Sequence, residues 1–201
     1  MFENLIDIKE FFIKIPICGL VEKINSKERI TLNIKKETKQ LNYLIDNFDK
    51  NKCYKFISVK GGFSSIAFIN WVAEREAIEE LFVSSLAVGK KHIENLDHLH
   101  AEGKIKNANF ILGVIFKDSN IDKNKYSYFC AFDNICKKNG WQYKLTNNHS
   151  KIILMRTDKN YYVVETSSNL NENPKMEQFS FECDKKLYEF YYNFFIEVLK
   201  C

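Results

Sequence analysis

The chain has 201 residues, the size of one domain with room for a small extension, and 45% hydrophobic and 14% aromatic residues supply a core. Only 2 prolines and 7 glycines exclude a linker-rich or low-complexity chain. A formal charge of +4 permits contact with a polyanion without requiring one.

Six cysteines, at 18, 53, 130, 136, 183 and 201, form no CxxC pair, and several lie in apolar runs. Buried, reduced thiols fit this spacing better than a disulfide framework. The start, Met1-Phe-Glu-Asn-Leu-Ile-Asp7, carries acids where a signal peptide carries bases. No apolar run approaches the ~18 residues that span a bilayer. A soluble, cytoplasmic protein without disulfides or membrane contact is expected.

In chain order, residues 1–50 read as an N-terminal extension. Within it, the alternation of Arg29-Ile-Thr-Leu-Asn-Ile34 predicts a half-buried strand, and Glu37 to Phe48 a short helix. From residue 51 a regular rhythm follows. Tyr54–Val59 is a predicted strand, Gly61-Gly62 a turn, and Ser64 or Ser65 the cap of a helix over Ile66–Leu81. A buried strand at Leu81–Val88 ends at Gly89, and a helix over Lys90–Glu102 stops at Gly103. Ala108–Phe116 is an apolar strand, Tyr126–Asn139 a helix closed by Gly140, and Trp141–Leu145 a short strand. Lys151–Met155 and Tyr161–Val164 form a hairpin across Thr157–Asn160. A strand at Glu177–Phe181 and an aromatic helix over Lys185–Lys200 complete the chain. Strand–helix alternation with apolar strands predicts an α/β domain over 51–201, with a mixed, mostly parallel sheet covered by helices on both faces.

The chemistry concentrates late in the chain. His149 and Lys151 stand two residues apart, so in an extended segment their side chains share a face. The hairpin return brings Ser167 and Asn169 to the same sheet edge, and Glu177 opens the next strand. An imidazole can attack phosphorus and form a phospho-histidine, splitting one displacement into two. Lys151 supplies positive charge where the non-bridging oxygens gather charge. Asn169 and Ser167 can hold those oxygens, and Glu177 can orient the ring through its other nitrogen.

This spacing resembles the phospholipase D superfamily, whose signature is H-x-K-x4-D, a hairpin, G-S-x-N, and a later carboxylate. The resemblance implies a nucleophile or acid at His149, a phosphate clamp at Lys151, Ser167 and Asn169, and a supporting acid at Glu177. It covers about three quarters of the chain and looks like a single-motif bacterial and phage branch of PLD-like proteins. Two positions depart from the signature: Arg156 stands at the acid of H-x-K-x4-D, with Asp158 two residues later, and Thr166 at the glycine of G-S-x-N. With one H-x-K per chain, the resemblance implies a homodimer with one motif on each side of the phosphate. It also implies that no metal or other cofactor is needed. The expected activity is that of a phosphodiesterase, a nuclease on nucleic acid before a lipid-cleaving enzyme. The alternative is a catalytically degenerate PLD-like module that binds nucleic acid or protein, in a setting such as phage–host conflict.

Several other features have plainer explanations. His92, His98 and His100 suggest solvated helix residues before metal ligands, since no Cys or carboxylate completes a set. The pairs Lys35-Lys36, Lys90-Lys91, Lys137-Lys138 and Lys185-Lys186 read as solvated surface before a nucleic-acid track. The aromatic block Tyr188–Phe195 suits helix packing or a dimer seam better than base stacking.

Overall fold

The computed structural model describes residues 26–58, 63–118, 128–171 and 175–200, with side chains described from residue 35 onward. The helices are α1 (Ser26–Leu44), α2 (Ile66–Ala73), α3 (Lys90–Ala101), α4 (Ile115–Asp118), α5 (Tyr128–Asn139) and α6 (Lys185–Lys200). The strands are β1 (Tyr54–Ser58), β2 (Ile78–Ser85), β3 (Ala108–Gly113), β4 (Gln142–Thr146), β5 (Ile152–Thr157), β6 (Tyr161–Thr166) and β7 (Glu177–Cys183). The Gly61-Gly62 turn, the first two residues of the helix expected from Tyr126, and Cys18 and Cys201 lie outside the described residues.

All seven strands join one sheet in the order β1-β7-β6-β5-β2-β3-β4. Only β2–β3 and β3–β4 pair in parallel; the other four pairings are antiparallel. The sheet is therefore mixed as expected, but the expectation of mostly parallel neighbours fails. Five strands do run one way; β5 and β7, interleaved among them, turn most ladders antiparallel. A hairpin return costs little loop entropy, which favours this interleaving.

Period-2 alternation divides the core between two faces. Leu81, Val83, Phe110, Leu112, Ile153, Met155, Tyr162, Val164, Phe179 and Phe181 belong to the larger cluster with residues of α1, α2, α3 and α5. Phe82, Ile111, Leu154 and Val163 point the other way, onto Tyr188 and Phe195 of α6. Helices thus cover both faces. Leu41, Ile45 and Phe48 pack in the larger cluster, so the end of the N-terminal segment shares the core of the sheet.

Three element expectations change. The strand at Arg29–Ile34 is instead part of α1. Ile30 and Ile34 are also four apart, in register with Leu41 and Ile45, which are fully or almost fully buried. The helical period that continues into Leu41 and Ile45 wins over the short alternation. The helix from Ile66 stops at Ala73 rather than Leu81, and β2 starts at Ile78. Glu74 N–H and Glu76 N–H close the last turn on Asn70 O and Val72 O, and Ile78 then exchanges backbone hydrogen bonds with Lys104 and Lys106. Non-local pairing overrides the helix propensity of Glu79 and Glu80. The strand from Ala108 ends at Gly113, before α4. A Cβ there would meet Leu86 Cδ1 at 2.6 Å and Asn148 O at 3.1 Å, so only glycine lets the 148 loop approach. The stops at Gly103 and Gly140 hold, with φ of +72° and +69°.

Among the described residues, Cys53 and Cys130 are exposed, Cys183 is half-buried and only Cys136 is buried, all as free thiols. Burial pushes the Cys136 thiol up to about 12. No helix among the described residues is long and apolar enough to cross a membrane.

Candidate active site

β5 begins, and β6 and β2 end, at one edge of the sheet. Ile152 pairs with Glu165 and with Ser84, and Thr166 N–H donates to Lys151 O at 3.1 Å, extending the ladder past the strand. The segment 147–151 thus emerges beside the turn that follows β6. His149 is exposed at this edge and Lys151 half-buried. The Lys151 ammonium donates to His149 O at 2.6 Å and lies 3.2 Å from His149 Nδ1. Burial draws the Lys151 pKa below the ordinary lysine range, opposed by the charge of Glu177. Imidazole and ammonium share one side, as their spacing predicts.

The segment is pinned by Asn148, which inspection of the sequence passed over. Asn148 Nδ2 donates to Ser84 Oγ (3.1 Å), Ser85 O (3.1 Å) and Ile111 O (2.9 Å). Its Oδ1 accepts from Ser150 N (3.0 Å) and Ser150 Oγ (2.8 Å), and Ser150 Oγ meets Ser84 Oγ at 2.5 Å. One carboxamide therefore ties both neighbours of His149 to the ends of β2 and β3. The available signal was an Asn before the motif and Ser-Ser at the end of a buried strand.

Ser167 and Glu177 are brought together. Ser167 Oγ donates to Glu177 Oε2 in a short hydrogen bond and accepts from Gln178 N at 3.0 Å. Glu177 is buried, at 6% exposure. Asn169 Oδ1 accepts from Leu86 N at 3.3 Å, which leaves the amide group as its donor end. A cleft of about 480 Å³ opens here, lined by His149, Lys151, Ser167, Gln178, Ser180 and Lys55, with Glu165 on its wall. Asn169 and Glu177 are not among the residues that line it.

Arg156, at the departed acid position, lies near the other end of β5, about 13 Å along the strand from Ile152. It pairs with Glu80 at 3.5 Å. The adjoining turn is gathered by Glu76, whose carboxylate accepts from Thr157 Oγ1 (2.6 Å), Asn160 Nδ2 (2.6 Å) and Tyr162 OH (2.7 Å). Asp158 is exposed in that turn, remote from His149. The departure at the acid position therefore falls in the anchoring of the hairpin, whereas Thr166, at the glycine position, ends β6 beside Lys151.

His92 differs from the expectation of a solvated residue. It is buried, and its Nε2 lies 3.1 Å from Ser64 Oγ, which donates to Glu37 Oε2 at 2.8 Å. Ser64 serves this link rather than a helix cap, and Ser65, at the N-cap, makes no side-chain cap hydrogen bond. His98 is exposed and pairs with Glu102 at 3.0 Å, and His100 Nδ1 meets Ile105 O at 2.8 Å. Among the described residues, no cluster of three or more His, Cys, Asp or Glu is arranged to hold a metal ion. Lys90, Lys137, Lys138 and Lys185 each pair with a carboxylate, a surface role.

No protein-family profile and no curated protein matches the sequence. Among solved structures, a polyphosphate kinase from Porphyromonas gingivalis superposes with a TM-score of 0.59 at 10% identity, over 79% of this chain and 28% of that one. The fold is phospholipase D-like. This chain thus spans under a third of that kinase. Weaker likenesses are to phosphatidylserine synthase from Haemophilus influenzae (TM-score 0.44, 15% identity, 69% of this chain, 36% of that one) and to TrmBL2, an archaeal chromatin protein (0.44, 12%, 87% and 64%).

Proposed function

We propose that the protein is a metal-independent phosphodiesterase, a nuclease of the single-motif PLD-like branch, working as a homodimer through a phospho-histidine. The observation that carries this reading is the pair itself: Lys151 Nζ stands 3.2 Å from His149 Nδ1, and both open on the same cleft. The fold shared with a polyphosphate kinase supports it.

With Lys151 charged, its N–H donates to Nδ1, and a neutral His149 then carries its proton on Nε2. A second proton, taken on Nδ1 in place of the ammonium contact, gives the imidazolium whose Nε2–H is the general acid. A bound phosphate draws the ammonium to its own oxygens and frees Nδ1 to take the proton, which leaves an Nε2 lone pair for attack. In a two-fold dimer one His149 attacks: the N–P bond forms and the P–O bond to the leaving group breaks. The leaving oxygen takes the Nε2 proton of the partner subunit's His149. Water then attacks phosphorus, gives its proton back to that ring, and the N–P bond breaks. Lys151 holds the non-bridging oxygens, Asn169 is held by Leu86 N beside the cleft, and Glu177 fixes Ser167 at the rim.

The test is hydrolysis of single-stranded DNA and RNA in excess EDTA. Wild type cleaves and His149→Ala does not; full cleavage by His149→Ala would refute the reading. One observation favours the alternative, a degenerate binding module: Ser167 already donates its proton to Glu177, so that hydroxyl is not free for a phosphate. Binding without cleavage, unaltered in His149→Ala, would select it.

A further inference from the structure

The cleft is longer than one phosphodiester needs. Lys55, Ser180, Glu165 and Ile152 form one row across β1, β7, β6 and β5. Three strand spacings put the Lys55 and Ile152 backbones about 14 Å apart. Tyr54 and Phe56 turn into the core, so Lys55 and Ile57 project from the opposite face. α6 covers that face over β6, β3 and β4. On β1, Lys55 is exposed and Ile57 is 72% exposed. Ile57 pairs across the ladder with exposed Gln178, and Met176, two residues before it, is 70% exposed. Cations thus stand at both ends of the cleft, and an apolar and amide surface lies beside the outer one. Glu165, its acidic wall, is occupied by hydrogen bonds from Tyr191 OH and Ser180 Oγ.

Resting on the reading of His149 and Lys151 as a phosphate site, we infer that this open sheet face is a binding subsite for single-stranded nucleic acid, with Lys55 holding a phosphate remote from the one at His149. Lys55 takes the distant phosphate as a point charge. Ile57 and Met176 contact an unpaired base, and the Gln178 amide meets its edge. Unstacked bases are required, because a duplex buries those faces. Bare polyphosphate would satisfy the lysines alone and leave Ile57 and Met176 without a ligand.

The test is binding by the full chain of a cleavage-resistant phosphorothioate oligothymidylate of about twelve nucleotides, followed by fluorescence anisotropy across a salt series. Lys55→Gln weakens Kd about fivefold and lowers the slope of log K against log salt by about 0.7, the value of one lost single-strand phosphate contact. Ile57→Ser weakens Kd about threefold at unchanged slope. Lys159→Gln, in the turn at the other end of β5, changes neither. Hydrolysis of bis(p-nitrophenyl) phosphate, too small to reach Lys55, is the same for Lys55→Gln and wild type. An unchanged Kd and slope in Lys55→Gln would overturn the subsite, as would equal affinity for a polyphosphate of matching charge with no effect of Ile57→Ser. Weakened binding by Lys55→Gln, together with a wild type that hydrolyses neither bis(p-nitrophenyl) phosphate nor an unmodified oligothymidylate, keeps the subsite and rejects the nuclease.

Discussion

The two ends of β5 hold polar groups of opposite use. At the Thr157 end, Glu76 receives hydrogen bonds from Thr157, Asn160 and Tyr162, and Arg156 pairs with Glu80. These donors and carboxylates face one another, and the result is a fixed turn. At the Ile152 end, Asn148 fixes the backbone but the polar side chains it carries, His149 and Lys151, face a cleft. Lys151 donates to His149 O and lies beside His149 Nδ1 rather than on a carboxylate. A buried network closed on itself stabilises, whereas cations gathered without closure bind. Arg156 falls at the closed end, where it changes an anchor, and Thr166 is the departure that stands at the open end.

The largest expected effect breaks the open end. His149→Ala lowers phosphodiester hydrolysis by at least about 10³-fold, while urea denaturation shows a stability change within about 0.5 kcal/mol, because the ring is exposed.

Next is the closed end. Glu76→Ala strands three donors and costs about 3 kcal/mol of stability, with kcat of the folded fraction unchanged. Burial pushes the Glu76 carboxyl up, but hydrogen bonds from Thr157, Tyr162 and Asn160, aided by Lys50, outweigh it and hold the pKa below the usual 4.5. A depressed folded-state pKa means that the contribution is present above pH 4.5 and is lost as pH falls through the folded value. Urea titrations at descending pH in that range should therefore bring wild type toward Glu76→Ala.

A smaller effect sharpens the contrast at the join. Asn148→Ala misplaces His149 and lowers kcat about 100-fold with KM nearly constant. Steady-state kinetics separates the two parameters, and a shifted pH–rate profile distinguishes misplacement of the ring from general loosening. The smallest effect is that of Arg156→Gln, worth under about 1 kcal/mol for a partly exposed pair, with hydrolysis unaltered.

Much of this was legible in the sequence, for reasons that differ between elements. The strands β3, β5 and β6 and helix α6 announce themselves by long apolar runs or by period. The pairing of His149 with Lys151 follows from their spacing alone. The strand pairings could not be read, because the interleaving of β5 and β7 depends on which edges meet in space. The helix at Arg29–Ile34 was hidden because Ile30, Leu32 and Ile34 alternate as a strand does while Ile30 and Ile34 alone keep a helical spacing, and only continuity with buried Leu41 and Ile45 decides between them. Asn148 and Glu76 escaped notice because their partners are 37 to 86 residues away. Lys55 carries no motif at all; only the ladder from β1 to β5 puts it on the same cleft as His149.

The most direct measurement is the covalent state of His149 during turnover. Rapid alkaline quenching of the protein with excess oligonucleotide, followed by peptide mass spectrometry, should find phosphoryl-nucleotide on the peptide containing His149 in wild type and none in His149→Ala. Rapid EDTA-resistant cleavage without any adduct, undiminished in His149→Ala, would contradict the assignment of that edge as the site of phosphoryl transfer.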